Sequence, residues 1–275
     1  MIERLAGLHL RVSGQSINAY LSPQNIKDGK DRRQLQGYWP EPHDAQIGYT
    51  VANLRTEYAM RNTHVPVGPW RGVNTNQNGL YLECFMEEVA AAAGRDPLEF
   101  RRALMQQHPK HLAVLNAAAD KAGWGKPLAN TPEKRALGLA LHESFGSIVA
   151  QVAEVSVQNK QIVVHRVVCA IDCGTAVNPM LIAQQMESSV VFGLSAALFG
   201  EITIDKGRVQ QSNFNNYPVL RMPQAPVVDT HIIESDSHPE GVGEPGTPPV
   251  APAVANAVFA LTGQRLRQLP LRLPT

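Results

Sequence analysis

The sequence predicts an α+β fold in which helices and β-hairpins are mixed without the strict strand and helix alternation of a doubly wound sheet. Two observations predict it. Strand-like runs are folded back on themselves by tight-turn residues at Asn159-Lys160 and at Asp205-Lys206-Gly207. Around them stand segments of helical period, with caps at one end and glycine at the other.

The elements follow in order. Gly7 to Ser13 reads as a short strand, and polar sequence punctuated by proline and glycine runs on to Asp44. Leu80 to Ala93 has helical period and stops at Gly94. Asp96-Pro97-Leu98-Glu99 restarts a helix, with Asp96 as N-cap, Pro97 at the first helical position and Glu99 placed to close a capping box. A further helix is expected from Pro109 to Ala122, ending at Gly123. From Leu137 the period becomes strand-like, and Gln151 to Gln158 and Gln161 to Ala170 flank the first hairpin turn. Asn178-Pro179 opens a helix whose apolar face includes Ile182, Met186, Val190 and Leu194. The second hairpin follows, then a strand from Val227 to Glu234. A Gly/Pro loop from Gly241 to Pro249 leads into a helix over Ala251 to Leu261 that Gly263 stops, and a Leu-rich strand closes the chain.

Composition removes several function classes. The 275 residues, 44% of them hydrophobic, suffice for one large core or two modest ones. With 25 Lys+Arg against 24 Asp+Glu there is no basic footprint, so nucleic acid is not expected as a partner. The longest apolar stretch, Ser188 to Phe199, is interrupted and too short to span a bilayer, and Met1 to Gly14 lacks the pattern of a secretory signal. Cys84, Cys169 and Cys173 contain no Cys-x-x-Cys pair, which argues against a disulfide framework and a zinc ribbon. Iron–sulfur clusters need about four thiolates each, so none is expected in this chain. His108-Pro109-Lys110-His111 lacks recognised ligand spacing, and no metal role is assigned to it.

Three segments could carry chemistry. In Gly241-Val242-Gly243-Glu244-Pro245-Gly246-Thr247-Pro248-Pro249, glycines allow close approach to a ligand while prolines stiffen the loop, so a carboxylate is fixed just before a helix start. That helix start would offer amide donors to an anion or an oxo group. The same residues would serve equally if Glu244 only capped the loop. In Gly68 to Asn78, Arg71 stands before five residues with amide or hydroxyl side chains, a donor set suited to phosphate or a polar heterocycle, or simply a polar helix entry anchored by Trp70. The third, Asp172-Cys173-Gly174 to Asn178-Pro179 with Gln184-Gln185-Met186-Glu187, joins a buried strand to a helix.

Taken in this order, the three segments resemble the molybdopterin-binding subunit of the xanthine dehydrogenase and aldehyde oxidase family, on the branch that includes the isoquinoline 1-oxidoreductase beta subunit. The likeness runs from about Val65 to the end of the chain. It is carried by Gly68-Pro69-Trp70-Arg71, Glu87-Glu88-Val89-Ala90, Gly94-Arg95-Asp96-Pro97, Asp172-Cys173-Gly174, Asn178-Pro179, Gln185-Met186-Glu187, Phe192-Gly193-Leu194-Ser195 and Gly241 to Pro252. Ser188-Ser189 stands where the family often shows two glycines, a change expected only to alter helix packing.

The resemblance implies a molybdenum hydroxylase that oxidises an N-heterocycle or an aldehyde with water as oxygen source. Glu244 matches the family's catalytic glutamate, a general base. Arg71 falls where an arginine contacts the pterin, and Gln185 where a glutamine lies on the oxo side of molybdenum. Gly72 and Gly243 complete the expected cofactor contacts, and no side chain here is expected to ligate the metal. Val73 takes a substrate-pocket position that is aromatic in the xanthine-oxidising branch, so a purine substrate is not expected. The implied cofactor is molybdopterin, in its cytosine dinucleotide form, with molybdenum.

The family's large subunit is far longer, and its other cofactor-binding segments precede the matching region. Residues 1–106 are therefore read as a remnant of the first molybdopterin-binding domain and residues 107–275 as the second. The expected partners are a small [2Fe-2S] subunit and an N-terminal half of the large subunit on another chain, without which the chain would be inactive. Cytoplasm is the default compartment, and the periplasm follows if a partner carries a twin-arginine signal. The competing reading is a non-catalytic truncated remnant, or an interaction module, lacking a complete cofactor site.

Overall fold

The computed structural model describes residues 5–40, 44–128 and 130–274. Leu8, Leu10 and Val12 alternate inward along strand β1 (Leu8–Gly14), as the period-two pattern of a half-buried strand requires. β1 pairs in parallel with β2 (Leu54–Met60), a strand for which the sequence carries no clear signal. Between them, among the described residues, lie the short helix α1 (Ile17–Leu21) and two single 3-10 turns (Pro23–Asn25 and Arg32–Leu35), and buried polar side chains help to organise the segment. Ser16 Oγ donates to Asp31 Oδ2 at 2.6 Å and Asn18 Nδ2 donates to Asp31 Oδ1 at 2.9 Å, with all three residues buried.

Helix α2 (Thr75–Ala92) starts five residues before the expected Leu80. Its polar first turns are turned inward: Asn78 Nδ2 donates to the carbonyls of Gln34 and Gln36 at 2.9 and 2.8 Å, and Tyr38 Oη donates to Asn78 O at 3.0 Å. In α3 (Pro97–Leu104) the Asp96 carboxylate accepts from Leu98 N at 2.9 Å and Glu99 N at 3.0 Å, the expected cap. Glu99 does not close the box; its carboxylate accepts from Arg102 Nη1 at 2.6 Å. Helix α4 (Pro109–Ala122) has the expected bounds, with Gly123 in the left-handed region at φ 72°.

Arg101 ties α3 to α2. It is completely buried and donates from Nε to Glu83 Oε2 at 3.0 Å, from Nη1 to Glu87 Oε2 at 2.9 Å and from Nη2 to Glu83 O at 2.9 Å. Tyr49 Oη and Leu141 N complete the shell of Glu83, at 2.5 and 3.1 Å. Both oxygens of this buried carboxylate are thus given donors in place of the water they lose.

The main sheet has the order β3 (Arg135–Ser144), β4 (Ser147–Gln158), β5 (Gln161–Asp172) and, after helix α5 (Pro179–Leu198) and the small hairpin β6 (Ile204–Asp205) and β7 (Arg208–Val209), β8 (Val227–Ile232). β3, β4 and β5 form consecutive antiparallel hairpins; β8 joins β5 in parallel. Asn159 and Lys160 sit at φ 49° and 64°, the doubly left-handed turn that matches strand twist. Helix α6 (Val250–Thr262) then ends at Gly263.

Alternation along the strands sends residues to two faces. Leu139, Leu141, Ala150 and Val152 join the core with α2, α3 and α4, while Ala140, Ala153, Val155 and Val167 join the core with α5 and α6. The first core contains residues on both sides of position 106, from Leu104 to Val114. A Cβ on Gly138 would come 2.1 Å from Ala257 N and 2.2 Å from Ala253 O, so α6 sits directly on the backbone of β3. That seat positions the loop entering α6. After Gly263 the described residues form no strand where a Leu-rich one was expected; Pro270 and Pro274 interrupt the run. No helix among the described residues is long and apolar enough to cross a membrane.

Candidate active site

The loop before α2 is built by its own hydrogen bonds. Val73 N donates to Trp70 O at 2.6 Å, Thr75 N to Gly72 O at 3.1 Å, and Asn76 Nδ2 to Arg71 O and Val73 O at 2.8 and 3.2 Å. Thr75 Oγ1 also donates to Gly72 O. The resulting turn holds Gly72 at φ 93° and forces Val73 to φ 47°, a conformation that β-branched residues rarely adopt. Trp70 stacks on Phe192 of α5, with ring centroids 4.7 Å apart and planes inclined by 24°.

Arg71 extends from this loop and joins all three segments singled out above. Its Nε donates to Gly243 O at 2.5 Å, Nη1 to Ser188 Oγ at 2.9 Å, and Nη2 to Gln185 Oε1 at 3.0 Å and Gln185 O at 3.3 Å. The forked, planar guanidinium suits so divergent an acceptor set. Partial burial pulls its pKa down from the ordinary value, and the Glu244 charge acts in the opposite sense. Phe192 lies under the same group, 5.7 Å from its central carbon.

Glu244 faces the other strand of this loop. Its Oε1 accepts from Gly72 N at 2.9 Å, across 172 residues of sequence. Glu244 therefore does not cap α6, and most amides at the start of that helix are already bonded or absent. Thr247 N is bonded to Glu244 O, Val250 N to Thr247 O and Ala253 N to Pro249 O, while Pro248, Pro249 and Pro252 have no N–H to offer. The donors that converge beside Glu244 come instead from Gly72, Arg71 and Gln185.

The loop carrying Glu244 is pinned from behind. Gln151 of β4, fully buried, donates from Nε2 to Gly246 O at 2.8 Å, and Ser147 Oγ donates to Gly241 O at 2.7 Å. A Cβ on Gly246 would lie 2.8 Å from Ser189 Cβ, so the loop rests directly on α5. Ser188 and Ser189 consequently do more than adjust packing: one accepts from Arg71, and the other forms the floor under Gly246. Gln151 and Ser147 carry no sequence signal of this role, because each is a single polar residue inside a regular element. The Asp172-Cys173-Gly174 turn is closed locally, Asp172 Oδ1 accepting from Gly174 N at 3.0 Å, and Asn178 caps α5 through Leu181 N at 3.1 Å.

Whether a cofactor fits can be judged from Gly243. It is exposed, its φ lies outside the left-handed region, and an added Cβ would meet nothing closer than Gln185 Oε1 at 3.9 Å. Neither its φ nor packing demands glycine there, so the space beside the Gln185 amide is open to the close approach of a ligand. Gly72 is different, since a Cβ would come 2.4 Å from Asn76 Oδ1. The Gln185 Nε2 amide, which donates to no described residue, and the second N–H of Arg71 Nη1, the first being taken by Ser188, are donors suited to an oxygen-rich group such as molybdopterin.

Residues 86–226 match the molybdopterin cofactor-binding domain family. The chain is 32% identical over 272 residues to the beta subunit of isoquinoline 1-oxidoreductase from Brevundimonas diminuta, covering 98% of this chain and 34% of that protein. It is 31% identical over 218 residues to a subunit of nicotinate dehydrogenase from Pseudomonas putida, covering 73% of this chain and 18% of the relative. It spans about a third of the length of the first of these relatives and less of the second. The crystal structure of quinoline 2-oxidoreductase from Pseudomonas putida 86 superposes with a TM-score of 0.75 at 12% identity, covering 97% of this chain and 59% of that one. With that fold, and with the family matched across half its residues, this chain is a member of the molybdopterin cofactor-binding domain family of molybdenum oxidoreductases.

Proposed function

We propose that the chain forms part of a molybdenum hydroxylase in which Glu244 is the general base. The observation that carries this reading is the hydrogen bond from Gly72 N to Glu244 Oε1 at 2.9 Å, beside the Arg71 contacts that join residues 185, 188 and 243. Arg71, Gln185, Gly72 and Gly243 would hold the molybdenum cofactor, as molybdopterin in its cytosine dinucleotide form. When bound, that group supplies the two-electron acceptor and the centre at which water is activated.

The chain's own residues orient and move the proton. Gly72 N occupies one carboxylate oxygen and fixes the plane of the group. Oε2, which makes no hydrogen bond among the described residues, is the atom left to take a proton during attack on the substrate carbon. Val73, on the far side of Gly72, faces the substrate, an N-heterocycle or an aldehyde. Water provides the oxygen, and electrons pass to a small [2Fe-2S] subunit. Residues 1–106 contribute to the first molybdopterin-binding domain and residues 107–275 form the second, with an N-terminal half on another chain completing the cradle. The cytoplasm is the default compartment; a twin-arginine signal on a partner would move the complex to the periplasm.

Glu244→Gln tests the assignment in the complex assembled with its partner subunits. A glutamine oxygen still accepts from Gly72 N, so molybdenum content should be unchanged while turnover falls roughly 10²- to 10⁴-fold. Turnover within a few-fold of the native complex at equal metal content would refute the role of Glu244.

A further inference from the structure

Gln151 lies on the sheet face that α5 and α6 cover. Its partners across the ladder are Ala140 on β3 and Cys169 on β5, and Val149 and Ala153 flank it on the same face of β4. All four are buried, and Gln151 itself has no exposed surface. Burial pushes the Cys169 thiol up to about 12, so no charge stands there for a carboxamide to offset. Such a position calls for an apolar side chain, because a buried amide gives up its water and a methionine of similar volume does not.

The carboxamide is spent on the loop that carries Glu244. Nε2 donates to Gly246 O at 2.8 Å, across 95 residues of sequence, and otherwise approaches Cys169 Sγ at 3.7 Å. The NH2 end alone can meet a carbonyl, so Oε1 is turned away, buried and bonded to no described residue. The bond enters the turn that Thr247 N closes by donating to Glu244 O at 3.0 Å. That turn has little other polar support. Thr247 Oγ1 and Ser189 Oγ lie buried beside it without a bond to any described residue.

We propose that Gln151 is a positioning residue, which holds the Glu244 turn in line with the Gly72 amide and contributes little to the stability of the fold. The inference rests on the reading of Glu244 as base and adds the residue that orients it. Gln151→Met removes Oε1 and leaves Gly246 O without its donor, so one buried unpaired acceptor replaces another and stability is nearly conserved. The turn loses the bond that fixes it from behind. A displacement of about 1 Å at a reacting group lowers its rate roughly 10²-fold.

Three measurements on Gln151→Met test the role. The melting midpoint of the full chain should stay within about 4 °C of the native one. In the amide NMR spectrum of the same chain the Gly72 resonance, which reports the bond to Glu244 Oε1, should move, while amides of α3 and α4 on the opposite sheet face should not. In the complex with its partner subunits, kcat should fall roughly 10- to 100-fold with KM and molybdenum content unchanged. A midpoint lowered by more than about 10 °C, or a chain that does not fold, would assign Gln151 to the fold and overturn the proposal. An unmoved Gly72 resonance would overturn it too, as would a kcat that Glu244→Gln lowers and Gln151→Met does not. If neither variant lowers kcat, it is the base reading that fails, and the Gly72 resonance, read without cofactor or turnover, decides the positioning role by itself.

Discussion

Gly243→Ala separates a glycine kept for the fold from one kept for a ligand. The added methyl would stand 3.9 Å from Gln185 Oε1, its nearest neighbour, on a backbone whose φ is open to any residue. No contact is broken, and Arg71 Nε can keep its bond to the Gly243 carbonyl. The change in stability should stay within about 0.5 kcal/mol, with a slight gain from the stiffer unfolded chain. Yet the methyl fills the space between Gln185 and Glu244 that a bound group needs. The variant complex should therefore melt with the native one while its molybdenum content, measured by elemental analysis, falls at least several-fold. Gly72→Ala is the control with the opposite signature: at φ 93° and with Asn76 Oδ1 2.4 Å away, it should lose about 1–3 kcal/mol. Full molybdenum loading of Gly243→Ala would refute the ligand-approach argument.

Other consequences can be measured independently. Arg101→Met leaves Glu83 buried without its main counter-charge, and urea unfolding should register a loss of about 3–5 kcal/mol. His142, buried with no hydrogen-bond partner for Nε2 among the described residues, has its pKa pushed down from 6.5 to about 3, first by burial and then by His111, which itself lies 2.8 Å from Glu143. The fold holds the neutral ring, so its contribution is complete above pH 6.5 and declines by about 1.4 kcal/mol per pH unit as pH falls toward 3. His142→Gln should flatten that part of the pH–stability curve, and an unchanged slope would exclude His142 as its source. Glu244→Gln, described above, completes the set.

Elements closed by local chemistry were legible in the sequence. Asn178-Pro179, Gly123, Gly263 and Asn159-Lys160 each specify a backbone geometry within a few residues, and the structure has those ends where the residues indicate them. Two local readings failed as well, the Glu99 capping box and the Leu-rich closing strand, but the larger misses were non-local. β2 has no clear alternation, its burial being intermediate along most of its length, and its partner lies more than forty residues upstream. The early start of α2 was hidden because Asn74 to Asn78 read as a polar loop, whereas the amides of Asn74 and Asn78 are turned toward the carbonyls of Arg33, Gln34 and Gln36. Resemblance singled out Arg71, Gln185 and Glu244, which the structure gathers around the Gly72 turn. Glycine and proline content alone could not distinguish a catalytic carboxylate from a loop cap.

The Arg71 contacts also indicate where the rigidity of such a site originates. They span 114 to 172 residues, and Arg71 is only partly buried, so individual bonds contribute modestly after solvent screening. They cannot by themselves offset the entropy of bringing three distant segments together. That cost is met by burial: α5 and α6 share one core against the sheet, and Gly138 lets α6 touch the β3 backbone. Arg71 and Gly72 N then act on segments already close and determine orientation more than stability. For the base proposed above, one oxygen held and the other left open would need no reorganisation during reaction, the condition under which a positioned base is most effective.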